Sequence, residues 1–420
     1  MLANRSLPAI GSFAVVVALI AFVISGYAGY IDETVFYPGM RPSSYGDRYA
    51  VAVGLLALSI VGIFIRGGNY VVKIVAWLFN VWANVSYFVH FQMHIEIALL
   101  STAAFFLFCV VVQEGKRQPV LAGRPFVDWF FWLTLFCAGY FFASNGFKFS
   151  LSLFLFEGVY DARWEVTGGR NFLENLLFST VSKLFSLLAL GIYLQQRNMF
   201  RVAALTVAIL LLYSTSAQKS ILFFLALTYC ICWPRSTRAS FAMALGFAAF
   251  LFVLTIAPQS PGSPGLAAHT FLTRRLLLIP AWLNEAYFNY FAGKPLFLKH
   301  SVLNGITGVY DGPGPTWEMG YQLWGFGTSL NNGVLSDGFV NFGLIGSALY
   351  LIIGFGTIAL QSRFAHPATK AVSALYIWQL TNSALITTFV THGLLLYVAI
   401  GFIFFRRGVE DRRGREAAVS

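Results

Sequence analysis

The fold is decided by Phe339–Leu360, FVNFGLIGSALYLIIGFGTIAL, which contains no Asp, Glu, Lys, Arg or His. As an α-helix its 22 residues would span about 33 Å, against roughly 30 Å for a bilayer's hydrocarbon core. A helix of this length in water would carry a polar face. Here Asn341, Ser347, Tyr350 and Thr357 are the only polar side chains, too few to cover a face of such a helix. The stretch reads as a membrane span.

Comparable apolar runs lie on either side of it. Upstream they fall near 9–29, 49–65, 74–89, 95–112, 126–145, 175–194, 202–215, 219–233 and 239–257, and downstream near 371–390 and 394–405. The first run lacks a small-residue cleavage site, so it is expected to be a retained helix. The expectation is an all-α polytopic membrane protein of about twelve spans. Composition agrees: 58% of the 420 residues are apolar and 11% are charged, against roughly 25% charged in a soluble domain. Mean hydropathy is +0.70. These values exclude a soluble enzyme and a disordered chain, and the long apolar runs exclude an outer-membrane barrel. Cys109, Cys137, Cys230 and Cys232 all lie in apolar runs, so they read as structural thiols.

The net charge is +11. In an apolar chain this reads as topology and anionic lipid, with no nucleic-acid partner. With the N-terminus inside, the inner segments hold 17 basic residues and the outer segments 10, with Lys183 inside a span. The bias places both termini in the cytoplasm. Along the chain, 1–257 holds nine spans with an outer loop near 146–174, 258–338 is a large outer loop, and 339–420 holds three spans and a basic tail. The large loop is rich in aromatic residues and glycine, as a folded binding loop would be. Its portion 267–291 reads as an amphipathic helix, kinked at Pro280 and lying in the membrane interface.

Inner charges are explained by topology, whereas the outer ones call for another reason. Arg163, Arg170, Lys219, Arg274 and Arg275 stand on one side of the membrane. Five cations there suit a phosphate or pyrophosphate, because a guanidinium donates two parallel hydrogen bonds to its oxygens. The competing reading is interface anchoring, or loop pairing with Asp161 and Glu165. Asp337, at the end of the large loop, is a candidate general base or orienting carboxylate. His300 is a second candidate base. Asp32 and Glu33, an acid pair after the first span, resemble the outer-loop acid of lipid-dependent C-type glycosyltransferases, with ordinary loop polarity as the simpler reading. Asp311 and Glu318 have no supporting pattern. His90 and His94 stand four apart near Glu96, as two metal ligands on one helical face would. No third ligand is evident, so interface histidines are the simpler reading and no metal is expected. P-loop, dinucleotide-glycine and HExxH motifs are absent, so no cofactor is expected.

At residues 330–350, LNNGVLSDGFVNFGLIGSALY, the chain resembles the oligosaccharide repeat-unit polymerases of the O-antigen (Wzy-type) family, which are distantly similar to O-antigen ligases. The matching features are Asn331, Asn332, Asp337, Asn341 and Gly343 to Gly346. Ala217-Gln218-Lys219-Ser220 stands where that group has a short Ser-Arg element, with lysine for arginine. The ligases carry a histidine near the position of Asn331 and Asn332. Asparagine cannot act as a base at neutral pH, which sets the polymerase reading ahead.

The resemblance implies a C-type glycosyltransferase fold in a bacterial inner membrane, with the active site facing the periplasm. The donor would be an undecaprenyl-pyrophosphate-linked oligosaccharide, and the acceptor a sugar hydroxyl on a second lipid-linked unit. A chain-length regulator would be a further partner. Asp337, Arg163 and Arg274 would be catalytic. Arg170, Lys219, Arg275, Asn331, Asn332, Asn341 and His300 would hold substrate. The alternatives are a ligase moving glycan to lipid A-core, and a flippase of a lipid-linked glycan. A flippase would need charge along a path across the membrane, whereas here the charge gathers at one face.

Overall fold

A computed structural model describes residues 47–65, 69–91, 93–112, 124–145, 170–216, 218–234, 246, 277–301, 304–362, 364 and 366–405. The described residues are all-helical, with 81% in helix and no strand. Among the described residues, five helices are long and apolar enough to cross a membrane: Tyr70–Val89, Phe126–Ser144, Phe172–Gln196, Val334–Gln361 and Leu385–Ile403. Shorter apolar helices are Arg48–Phe64, Ile95–Val111, Met199–Ser214 and Ser220–Cys232. The expected runs at 9–29 and, apart from residue 246, at 239–257 lie outside the described residues.

Two compact units interleave along the chain. The first draws on Met1–Gln113, Phe241–Ala359 and Ile377–Leu385. Here α1 (Arg48–Phe64) packs on α4 (Ile95–Val111). Between them in sequence, α2 (Tyr70–Ala76) runs through a π-helical segment, Trp77–Trp82, into α3 (Ala83–His90). Helix ends leave carbonyls unpaired, and two basic residues answer that need. Lys73 donates to the carbonyls of Ile63 (3.3 Å) and Ile65 (2.7 Å) at the end of α1. Arg48 donates to those of Phe88, Phe91 and Met93 at the end of α3. Further along are α10 (Ile279–Phe291), α11 (Asn304–Thr307), α12 (Pro315–Trp324) and α13 (Val334–Gln361).

The second unit draws on Glu114–Ser240, Leu360–Tyr376 and Ile386–Ser420. It contains α5 (Arg124–Ser144), then α6 (Phe172–Thr180), which runs through a π-helical segment, Val181–Phe185, into α7 (Ser186–Gln196). Then come α8 (Met199–Ser214) and α9 (Lys219–Cys232). Later elements are the first part of α14 (Pro367–Asn382), whose remainder belongs to the first unit, α15 (Leu385–Phe389) after its first residue, and α16 (Leu394–Ile400). In the second unit, α5 packs on α8, and α7 on α8 and α9. Arg201 of α8 bonds Asp128 of α5 and Tyr193 of α7, joining these helices at one end.

Side chains facing outward confirm the apolar setting. On α5, Trp129, Trp132, Phe136 and Tyr140 are all exposed. Their spacing of three or four places them in one stripe, a surface suited to lipid rather than water. Ile345, Leu349 and Ile352 form a similar stripe on α13.

Two expectations are corrected here. The segment 277–291 does not present one apolar face to an interface: Trp282, Asn284, Glu285, Tyr287 and Phe288 of α10 are all buried. Pro280 falls in the first turn of α10, where no backbone N–H is required, and residues 267–276 of the expected kinked helix lie outside the described residues. Secondly, Asp337 does not end a loop before a span at 339. The helix has already begun at Val334, and the break comes later, at Phe342 and Gly343, where Gly343 has φ +64°. That left-handed conformation is one glycine adopts at little cost.

Candidate functional site

Asp337 lies in the first turn of α13 and is 3% exposed. Its Oδ2 accepts the backbone N–H of Leu385 at 2.9 Å. Its Oδ1 accepts from the carboxamides of Asn341, at 3.2 Å, and Asn332, at 3.5 Å. Asn341 sits one turn on and also donates to the Asp337 carbonyl at 2.9 Å. Its own Oδ1 accepts the N–H of Leu298 at 2.9 Å. The same short segment closes the broken end of the helix: Leu296 N–H bonds Val340 carbonyl at 2.9 Å and Phe297 N–H bonds Asn341 carbonyl at 3.1 Å. Phe297 and Leu298 reach this position only with positive φ, 49° and 65°.

These bonds show what Asp337, Asn332 and Asn341 do in the fold. They tie the first half of α13 to the 296–298 segment and to Leu385, all within the first unit. A substrate hydroxyl would have to displace donors already in place. The geometry therefore suits the orienting carboxylate, the second of the two roles weighed for Asp337. Asn331, by contrast, is exposed. His300 is partly buried with its Nδ1 enclosed and without a hydrogen-bond partner, and burial lowers its pKa.

The cations divide. Arg163, Arg274 and Arg275 lie outside the described residues. Arg170 stands just before α6, its guanidinium over the rings of Phe141 (4.9 Å) and Phe178 (4.3 Å). It donates to the carbonyl of Thr215 at 3.1 Å. Thr215 belongs to the tip joining α8 to α9, and Lys219 opens α9. Arg170 and the backbone of Lys219 thus stand at one end of the second unit. Asn171 and Glu174 form a capping box that fixes where α6 begins, and Glu174 also accepts from Tyr140. No protein-family model, curated protein or solved structure matches the chain.

The expected His90–His94 pair does not share a helix face, because α3 ends at His90 and the chain is extended at Phe91 and again at His94. His94 instead joins Glu285. Its backbone N–H donates to Glu285 Oε2 at 2.7 Å, and its ring meets Asn289 at 2.9 Å. Burial raises the pKa of Glu285. Among the described residues, no group of three His, Cys, Asp or Glu could hold a metal ion. Glu318 accepts from Tyr290 and Tyr310.

Two polar groups escaped the sequence reading. In the first unit, Asn80, Asn84 and Asn284 line a small cavity beside Gly333 and Thr381. Asn284 donates to Asn84 at 3.1 Å. In the second unit, His392 Nδ1 meets Ser179 Oγ at 2.9 Å and Lys183 Nζ at 3.1 Å. Tyr376 holds the His392 carbonyl at 2.7 Å. The sequence signal for this second group was a lone lysine in one apolar run and a lone histidine in another.

Proposed function

We propose that the chain is a polymerase of the C-type glycosyltransferase class. It would join lipid-pyrophosphate-linked oligosaccharide units at the outer face of a bacterial inner membrane, with about twelve spans and both termini inside. The observation that carries the reading is Arg170 docked on the tip that leads to Lys219. It adds to the resemblance at 330–350. Two cations at one helical end provide a place where a pyrophosphate leaving group can gather charge.

In the reaction, the acceptor hydroxyl oxygen bonds to the anomeric carbon of the donor. The anomeric carbon–oxygen bond to pyrophosphate breaks, the lipid pyrophosphate leaves with the electron pair, and the hydroxyl proton passes to water. Cations fixed in place stabilise the departing charge without reorganising. Asp337 holds the helix break and the loops beside it in register, as a positioning residue.

The test is polymerisation of purified lipid-linked repeats, read as a ladder on a gel. Arg170→Ala and Lys219→Ala should each lower the rate by about 10²–10³-fold, the scale of losing one oxyanion donor. Wild-type ladders from both variants together would refute the clamp. Deletion cells should carry a single repeat on lipid A-core. Unligated lipid-linked polymer in those cells would point to a ligase instead.

A further inference from the structure

The Ser179–Lys183–His392 cluster is rich in donors and poor in acceptors. Lys183 is 6% exposed and Ser179 9%. Among the described residues, the Lys183 ammonium has one hydrogen-bond partner, His392 Nδ1. An ammonium carries three donors. The described ion pairs include none to Lys183. A buried cation held only by an imidazole is costly unless something else meets it, and in a membrane span it marks a working site.

The backbone around it is irregular on both sides. Lys183 sits in the π-helical segment Val181–Phe185, a distortion common at functional sites. Opposite, α15 and α16 are separated at 390–393, with Gly393 at φ +79°. Non-helical backbone at membrane depth is tolerated where it is buried in protein or lines a cavity.

The cluster lies toward one end of the span. His392 Nδ1 touches both Ser179 and Lys183, so the Lys183 ammonium stands level with Ser179. This follows from side chains leaning toward the helix N-terminus. Ser179 is seven residues past Phe172, about 10 Å along the helix. The span Phe172–Gln196 has 25 residues, about 38 Å, roughly 8 Å longer than a hydrocarbon core. With the helix centred on the core, Ser179 lies about 6 Å inside its boundary, at the same end as Arg170.

We propose that Ser179, Lys183 and His392 bind a phosphate oxyanion, forming the inner floor of a site whose entrance is Arg170. This rests on the pyrophosphate-clamp reading and extends it to residues within the span. The phosphate could belong to a lipid headgroup or be free in solution, and the test separates the two.

The full-length protein is placed in phosphatidylcholine nanodiscs and titrated with inorganic pyrophosphate, following its thermal midpoint. In a second arm, nanodiscs are doped with phosphatidic acid and retained lipid is counted by native mass spectrometry. Lys183→Met keeps the length and apolar stem of the side chain, and its unliganded midpoint should match or exceed the wild type's. It should weaken phosphate binding about ten- to hundredfold, the weight of a hydrogen bond to a charged group. Lys183→Arg should retain part of it. Loss in the phosphatidic acid arm identifies a lipid phosphate, and loss in the pyrophosphate arm a soluble one; either supports the site. Wild-type binding by Lys183→Met in both arms, or no binding by the wild type in either, overturns it. If Arg170→Gln loses binding and Lys183→Met keeps it, the clamp stands and this inference falls. If Lys183→Met loses binding but the wild type makes no polymer, the site stands and the polymerase reading falls.

Discussion

Asp337→Asn separates the two roles of that side chain. The carboxylate receives two well-placed donors, Leu385 N–H at 2.9 Å and Asn341 Nδ2 at 3.2 Å. The Asn332 contact at 3.5 Å adds little at that length. An asparagine can keep one of the two good bonds. If its oxygen faces Leu385, its amide faces the amide of Asn341, donor against donor. Hydrogen bonds to charged groups contribute about 1.5–3 kcal/mol each, and a buried donor left unpaired costs about 1–3 kcal/mol. Losing one bond and weakening the other should destabilise the protein by about 2–4 kcal/mol. Unfolding of the purified protein in detergent, followed by near-UV circular dichroism, measures this, with polymer length in cells recorded alongside. The variant should melt earlier, and polymer should return at reduced growth temperature. A variant that melts with the wild type would refute the brace, and if it also makes no polymer the base role is restored.

Gly338→Ala should destabilise strongly, because a Cβ there would strike the carbonyl of Gly346 across the helix break; expression and melting temperature check this. Glu285 has a pKa raised by burial above its ordinary 4.5. Its contribution to stability is thus full below that value and lost as pH rises through the folded-state pKa. Melting at pH 5 and pH 8 should therefore differ less in Glu285→Gln than in the wild type, and an equal difference would count against the assignment. Reporter fusions after residue 300 should score as periplasmic, and a cytoplasmic signal there would sink the orientation.

The helices were legible in the sequence because each apolar run is long and almost free of charge. The spans read at 95–112 and 126–145 correspond to helices at Ile95–Val111 and Arg124–Ser144. What the runs concealed was irregularity within them. Trp77–Trp82 and Val181–Phe185 are π-helical, which the length of an apolar run does not disclose. The start of α13 was misplaced because Asn332 and Asp337 look like loop residues until their partners are known. Polar side chains that bond one another can be buried, and hydropathy cannot see the partner. Arg170 and Lys219 were legible as cations, but their common end depends on a bond between residues 45 apart. The Ser179–Lys183–His392 group spans more than 200 residues, and no local pattern carries such a contact.

The segment 296–298 has a consequence for biosynthesis. Its backbone N–H groups bond Val340 and Asn341, carried on a helix that follows in the chain. Residue 341 leaves the ribosome 43 residues after 298, a delay of roughly 2–9 s at 5–20 residues per second. Throughout that interval Leu296, Phe297 and Leu298 must keep their amides hydrated, so this stretch cannot enter the bilayer ahead of its partner. The order of synthesis thus keeps the segment at the water boundary until the broken helix arrives to receive it.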